Sequence, residues 1–227
     1  MHSSKNFRRQ PRVRVWGVPA VWLVLLSLWW SQPVRAEAFI CPPREAQYAA
    51  RDYLNPQDRR KYLRAVESHH FNNDVRTLRG GARGVTSTLI GDLEYTLNWF
   101  PNHHEALDAL VRLVLRENSP RPLGAKVRVE CRFQWAMHVN PDDGMVPMLY
   151  GTYLQRVGKR DEARRMLERA VDLAPDNANV RYNVGLMMFR MNDHQTALKH
   201  ARRAYALGFP LPGLRNMLEQ AGYRLDE

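Results

Sequence analysis

The sequence predicts an all-α fold, an array of about three to four helical hairpins, two of them regular, closed by a C-terminal capping helix. Three observations carry that prediction. Residues 144–177 laid above residues 178–211 pair Val146/Val180, Gly151/Gly185, Arg156/Arg190, Ala163/Ala197, Arg169/Arg203, Ala170/Ala204 and Leu173/Leu207, a period of 34 residues. Between the breaks at Pro56, Pro101, Pro141, Pro175 and Pro210, apolar residues recur at helical spacing. A single hairpin cannot bury its apolar face alone, whereas stacked hairpins make one continuous core, so no sheet of consequence is expected.

From the N-terminus, residues 1–36 read as a secretory signal. Lys5, Arg8, Arg9, Arg12 and Arg14 precede an apolar run over 13–30, and Val34-Arg35-Ala36 offers small residues for cleavage. The alternative is an inner-membrane anchor formed by residues 13–30, although that run falls short of the ~20 apolar residues a spanning helix needs. With Arg35 the segment holds six positive charges and no acid, so of the formal net charge of +11 it leaves +5 to the rest. A balance that moderate, with no basic motif interleaved by aromatics, excludes a nucleic-acid reading. Cleavage would leave no bulk membrane insertion, and export implies a periplasmic or secreted location. In that oxidising compartment the two cysteines, Cys41 and Cys131, are expected to form a disulfide. The alternative is a buried inert thiol at Cys131 and a mobile Cys41.

Residues 37–85 read as an N-terminal arm and helices. Cys41-Pro42-Pro43 forbids helix, while Asn55-Pro56 sets a cap before a proline at the first helical position. A helix over 56–69 follows, with Tyr62, Leu63 and Val66 on its packing face. Asn72-Asn73 can cap a short segment to Arg79, closed by Gly80-Gly81. Residues 86–143 read as degenerate hairpins. Leu89, Leu93 and Leu97 mark a helix over 87–100, and Asn102 is expected to cap the next over 103–117, where Leu107, Leu110 and Val114 share one face. The proline-rich stretch 119–124 reads as an insertion before a helix carrying Phe133 and Ala136. Residues 144–177 and 178–211 are the regular units. Residues 212–227 form the cap, with Leu214, Met217 and Leu218 turned to the last repeat and Arg215, Glu219 and Gln220 to water.

Within the first regular unit Gly151, Ala163 and Ala170 stand where two helices must cross closely, and Tyr150, Leu154, Leu167 and Pro175 hold bulky and terminal places. The second unit keeps Gly185, Ala197 and Ala204 but has Ala201 where a large residue is usual. This pattern resembles the tetratricopeptide repeat. The resemblance implies a right-handed superhelical array whose first helices line a concave binding surface. Asn98-Trp99-Phe100-Pro101-Asn102-His103-His104, Asn140-Pro141-Asp142-Asp143 and Gly208-Phe209-Pro210-Leu211-Pro212-Gly213-Leu214 further resemble segments of a bacterial group of small exported proteins of this kind. That likeness covers roughly residues 50–220 and brings no biochemical activity with it.

In the repeat's register the concave positions are Met145, Met148, Leu149, Thr152, Gln155 and Arg156, then Asn179, Tyr182, Asn183, Leu186, Phe189 and Arg190. They define a candidate groove for a protein or peptide partner, centred on Tyr182, Asn183, Phe189 and the pair Arg156/Arg190. Asn183 can both donate and accept, and methionine and aromatic residues suit an adaptable apolar surface. Arg156 and Arg190 favour an acidic or carboxylate-ended ligand. The plainer alternative is that some of these side chains pack against the neighbouring repeat or the C-terminal helix.

No nucleophile-base set is visible, and Arg79-Gly80-Gly81-Ala82-Arg83-Gly84 lacks the Lys-Ser/Thr of a phosphate loop. Adjacent helical residues point about 100° apart, so His69-His70 and His103-His104 are wrongly arranged to share a metal ion. In each pair one histidine is expected to pack at a helix end and the other to face solvent. The sequence therefore reads as a non-enzymatic exported module, with no cofactor and no metal, that binds a partner in an envelope-associated assembly. The alternative is a periplasmic small-ligand binder or enzyme combining Arg156, Arg190 and nearby histidines.

Overall fold

The computed structural model describes residues 40–44, 49–82 and 88–225. The expected signal at 1–36, Ser87 and the Arg83-Gly84 end of the glycine-rich turn lie outside them. Among the described residues the chain is helical throughout, with no strand.

Asn55 accepts from the Gln57 backbone N–H at 2.8 Å, and Pro56, which has no N–H to lose, starts α1 (Pro56–Asp58). This helix passes through a π-helical turn (Arg59–Leu63) into α2 (Arg64–His70), burying Leu63 and Val66. A short α3 (Asn73–Arg76) is capped by Asn72. The reversal after it comes at Leu78, whose φ is +58°, and not at the expected Gly80-Gly81. Thr88 caps α4 (Leu89–Trp99), and its hydroxyl accepts from the Gly91 N–H at 3.2 Å.

At α5 (His104–Glu117) the structure corrects the expected cap. His103 Nδ1, not Asn102, accepts from the Ala106 N–H at 3.2 Å. Asn102 is buried and engaged elsewhere: its Oδ1 accepts from the Tyr53 N–H at 2.8 Å, and its Nδ2 donates to Asp52 at 2.7 Å and Asp143 at 3.0 Å. After Asn118 turns the chain at φ +49°, an irregular connection containing the expected insertion leads to α6 (Val129–Val139).

The regular hairpins follow as α7 (Met145–Arg156) with α8 (Arg160–Leu173), and α9 (Ala178–Arg190) with α10 (His194–Ala206). Their crossings explain the small residues. A Cβ on Gly151 would stand 2.7 Å from Leu167 Cγ and 3.2 Å from the Ala163 carbonyl oxygen, and Ala163 and Ala170 are fully buried. A Cβ on Gly185 would stand 3.2 Å from the Ala197 carbonyl, but its nearest side-chain atom, at 2.8 Å, is Cδ2 of Leu214. Leu214 belongs to the cap, α11 (Gly213–Gln220), and is fully buried. Ala201, at the place of Leu167, therefore leaves room that the cap fills. One core runs from Phe71 to Leu218 through α3 to α11, and Leu63, Val66 and Phe100 form a second cluster.

The N-terminal arm is pinned by chemistry rather than by helix packing. Cys41 and Cys131 are joined in a disulfide with Cα atoms 5.4 Å apart, tying the arm to α6. Arg44 donates to the Asn98 carbonyl at 2.7 Å, and Asp52 accepts from Asn140 Nδ2 at 2.9 Å. Beneath it Arg132, buried, pairs with Glu94 at 2.8 Å and donates to Asn98 Oδ1 at 2.6 Å, so α6 is keyed to α4 by a buried ion pair in which Arg132 Nε finds no partner.

Candidate partner-binding groove

The first helices α5, α7 and α9 enclose a groove of about 260 Å³. Its floor is Met145, Met148 and Leu149 from α7, with Thr152 one turn further on. Asn179 and Asn183 close one side from α9, and His104, Glu105 and Asp108 close the other from α5. The helical period places Met145, Met148, Leu149 and Thr152 along one face, and the two asparagines, four apart, on one face of α9.

The polar groups are held in place. Asn183 Nδ2 donates to the Asn179 carbonyl at 2.9 Å and to Asn179 Oδ1 at 3.0 Å. Thr152 donates its hydroxyl to the Met148 carbonyl at 3.0 Å, so it is not poised as a nucleophile. His104 Nε2 lies 2.8 and 3.0 Å from the two oxygens of Asp143, which is buried and also accepts from the Met145 N–H at 3.1 Å. One carboxylate thus caps α7 and fixes the histidine on the groove edge. Glu105 pairs with Arg76, and Asp108 with Arg112 at 2.8 Å.

The His103-His104 pair is more engaged than expected. His103 is buried against Glu67 at 3.1 Å, and desolvation lowers its pKa below the ordinary value while Glu67 opposes the shift. The hydrogen bond from His103 in turn lowers the pKa of Glu67. His104 is half-buried on Asp143, so neither member of this pair faces solvent freely. His69 is the exposed member of its pair, and His70 lies 2.8 Å from the buried Asp92. Among the described residues no cluster of three or more histidine, cysteine or acidic side chains could hold a metal ion.

Of the residues expected to face a partner, Met145, Met148, Leu149, Thr152, Asn179 and Asn183 line this groove, and Gln155, Arg156, Tyr182, Leu186, Phe189 and Arg190 do not. Tyr182 is buried, stacked on Phe209 with centroids 3.9 Å apart, and its hydroxyl lies 2.9 Å from where a Cβ on Gly213 would stand. It holds the cap. Phe189 packs edge-on against His194, and Leu186 is half-buried against the core. Gln155 is half-buried, with an Oε1 that finds no partner. Arg156 and Arg190 are exposed in the last turns of α7 and α9, where a cation suits the helix dipole, and the proposed cationic edge is absent from the groove. The contribution of α5 went unseen because the insertion breaks the period there.

A tetratricopeptide-repeat family model matches residues 145–207, the stretch from the start of α7 to the end of α10. That stretch carries tetratricopeptide repeats. No curated protein matches its sequence. A solved structure, described as the functional characterization of Pseudomonas aeruginosa pilF, is similar with a TM-score of 0.48 and 17% identity, covering 73% of this chain and 70% of that one. At that level no functional statement passes between the two. Repeats of this kind are scaffolds for protein-protein interaction, and among the described residues no helix is long and apolar enough to cross a membrane.

Proposed function

We propose that this protein is a non-enzymatic exported module that binds a segment of a partner protein along the groove of α5, α7 and α9, within an envelope-associated assembly. The observation that carries the reading is the convergence of Met145, Met148, Leu149, Thr152, Asn179 and Asn183 on one cavity lined from three successive first helices. Methionine and leucine accept varied apolar side chains, and the asparagine pair offers amide groups to a peptide backbone. The Cys41–Cys131 bridge agrees with an oxidising compartment, where such bonds persist. The array is read as a degenerate hairpin of α2 with α4, an interrupted hairpin of α5 with α6, and the two regular hairpins.

Site-specific photo-crosslinking in cells tests this. A photoreactive residue at Thr152 or Asn183 is expected to trap a protein partner, while one at the exposed Glu168 of α8 is not. Equal trapping from Glu168, or none from either groove position, overturns the assignment.

A further inference from the structure

A cavity larger than the groove lies at the other end of the array. It is an open basin of about 810 Å³ over α1, the π-helical turn, α2 and α3. Its floor is apolar, with Leu63 and Phe71 both buried. Its rim carries Arg59, Arg60, Arg64 and Arg76, against one acidic residue, Glu67, which is already bound to His103. Arg59 leans on Tyr53, with its guanidinium 4.5 Å from the ring centroid. Arg76 is shared with Glu105, which lines the partner groove, so the two cavities adjoin through one ion pair. Arg60 and Arg64 are exposed and make no ion pair or hydrogen bond with any described residue. A π-helical turn is rare and occurs frequently at functional sites, and this one, Arg59–Leu63, supplies three of the lining residues.

We propose that the basin receives an acidic stretch of the same partner polypeptide that occupies the groove, an assignment that rests on the groove reading and gives its partner a charge. Two free guanidiniums on a rim with four arginines and one acid favour anions, and guanidinium grips carboxylate through paired N–H bonds. Spacing selects a polypeptide over a compact phosphate. Arg60 and Arg64 are four residues apart, about 6 Å along the helix, and alternate side chains of an extended strand stand about 6.6 Å apart. Two acidic side chains at positions i and i+2 therefore meet the two arginines, and an apolar side chain at i+4, on the same face, reaches the Leu63 and Phe71 floor. Acidic recognition, expected at Arg156 and Arg190, thus moves to the opposite end of the array.

The test is fluorescence anisotropy of the full chain with a labelled peptide, Glu-Ser-Glu-Ser-Leu-Ser, beside the same peptide with lysine in place of glutamate. Salt-sensitive binding of the acidic peptide only, weakened about tenfold or more in the Arg60→Ala/Arg64→Ala variant, is the expected result. Both arginines are exposed, so the fold survives, and an unchanged thermal melt verifies it. Arg156→Ala, exposed and outside both cavities, is expected to leave binding of this short peptide unchanged. Absence of binding, or binding indifferent to Arg60 and Arg64, overturns the basin while the groove stands or falls by its own crosslinks. Equal weakening by Arg156→Ala would reflect general positive charge and no particular site, and also overturns the basin. Vesicles of phosphatidylglycerol that bind through Arg60 and Arg64 when the peptide does not would replace the polypeptide by a membrane and overturn the proposal as well.

Discussion

Leu214 and Ala201 should behave as one packing unit although they lie on different helices. Leu214 is fully buried with its Cδ2 over Gly185, the place taken over Gly151 by Leu167. Leu214→Ala removes three carbons, about 2.4 kcal/mol at ~0.8 kcal/mol per buried methylene, and a residual cavity raises the cost to about 3–5 kcal/mol. Ala201, also fully buried, sits where the preceding repeat has leucine, so Ala201→Leu in the native protein collides with Leu214 and costs about 1–3 kcal/mol. In the double variant the new leucine occupies the vacated space. Its cost should fall below the sum of the single costs by about 1 kcal/mol or more, a coupling that contacting residues can show and distant ones cannot. Urea unfolding followed by circular dichroism, with the transition slopes compared to verify a common unfolding unit, measures all four proteins. Additive costs within about 0.5 kcal/mol would refute the argument that the cap substitutes for the missing large side chain.

Three other outcomes follow from the same structure. Ala163→Phe and Ala197→Phe each force a ring into a helix crossing with no free volume and should destabilise by about 1–3 kcal/mol, so unchanged thermal melts would refute the crossing geometry. The Cys41–Cys131 bridge closes a loop with a sequence separation of 90, worth about 4–5 kcal/mol in the chain-entropy model. Alkylation under denaturing, non-reducing conditions followed by intact-mass measurement should find no labelled thiol in material from an oxidising compartment, and two labels would rule the bridge out. His200 is buried beside Arg181, with Nδ1 3.3 Å from the guanidinium; desolvation first, then that cation, lowers its pKa to about 4. The folded state therefore prefers neutral His200, so its contribution is intact above the unfolded pKa of ~6.5 and is lost as pH falls from there through about 4. His103, also lowered, acts in the same direction. His200→Leu should reduce the loss of melting temperature between pH 7 and 4 without abolishing it, and an unchanged pH profile would contradict the assignment.

The parts of this molecule legible in the sequence are those whose cause is periodic. Gly151, Ala163, Ala170 and their partners one repeat later recur because each crossing repeats the same contact, and the 34-residue spacing reports it directly. What escaped is held together by single, non-repeating contacts. Asn102 has the strongest local preference for the cap of α5, yet Tyr53, Asp52 and Asp143, at separations of 49, 50 and 41 residues, claim its amide, and the cap passes to His103. Tertiary satisfaction of a buried amide outweighs a cap worth about 1 kcal/mol, because leaving that amide unpaired costs more. Tyr182 was read into the groove for a related reason. Its register is that of a concave residue, but α9 is the last first helix, and the space a following repeat would leave open is taken by Phe209 and α11. At an array's end the rule that positions a binding residue therefore positions a capping one, since the apolar face must be closed by whatever chain remains. The groove accordingly lies toward the N-terminal side, where α5 replaces the lost neighbour with His104, Glu105 and Asp108 and where the arginine basin begins.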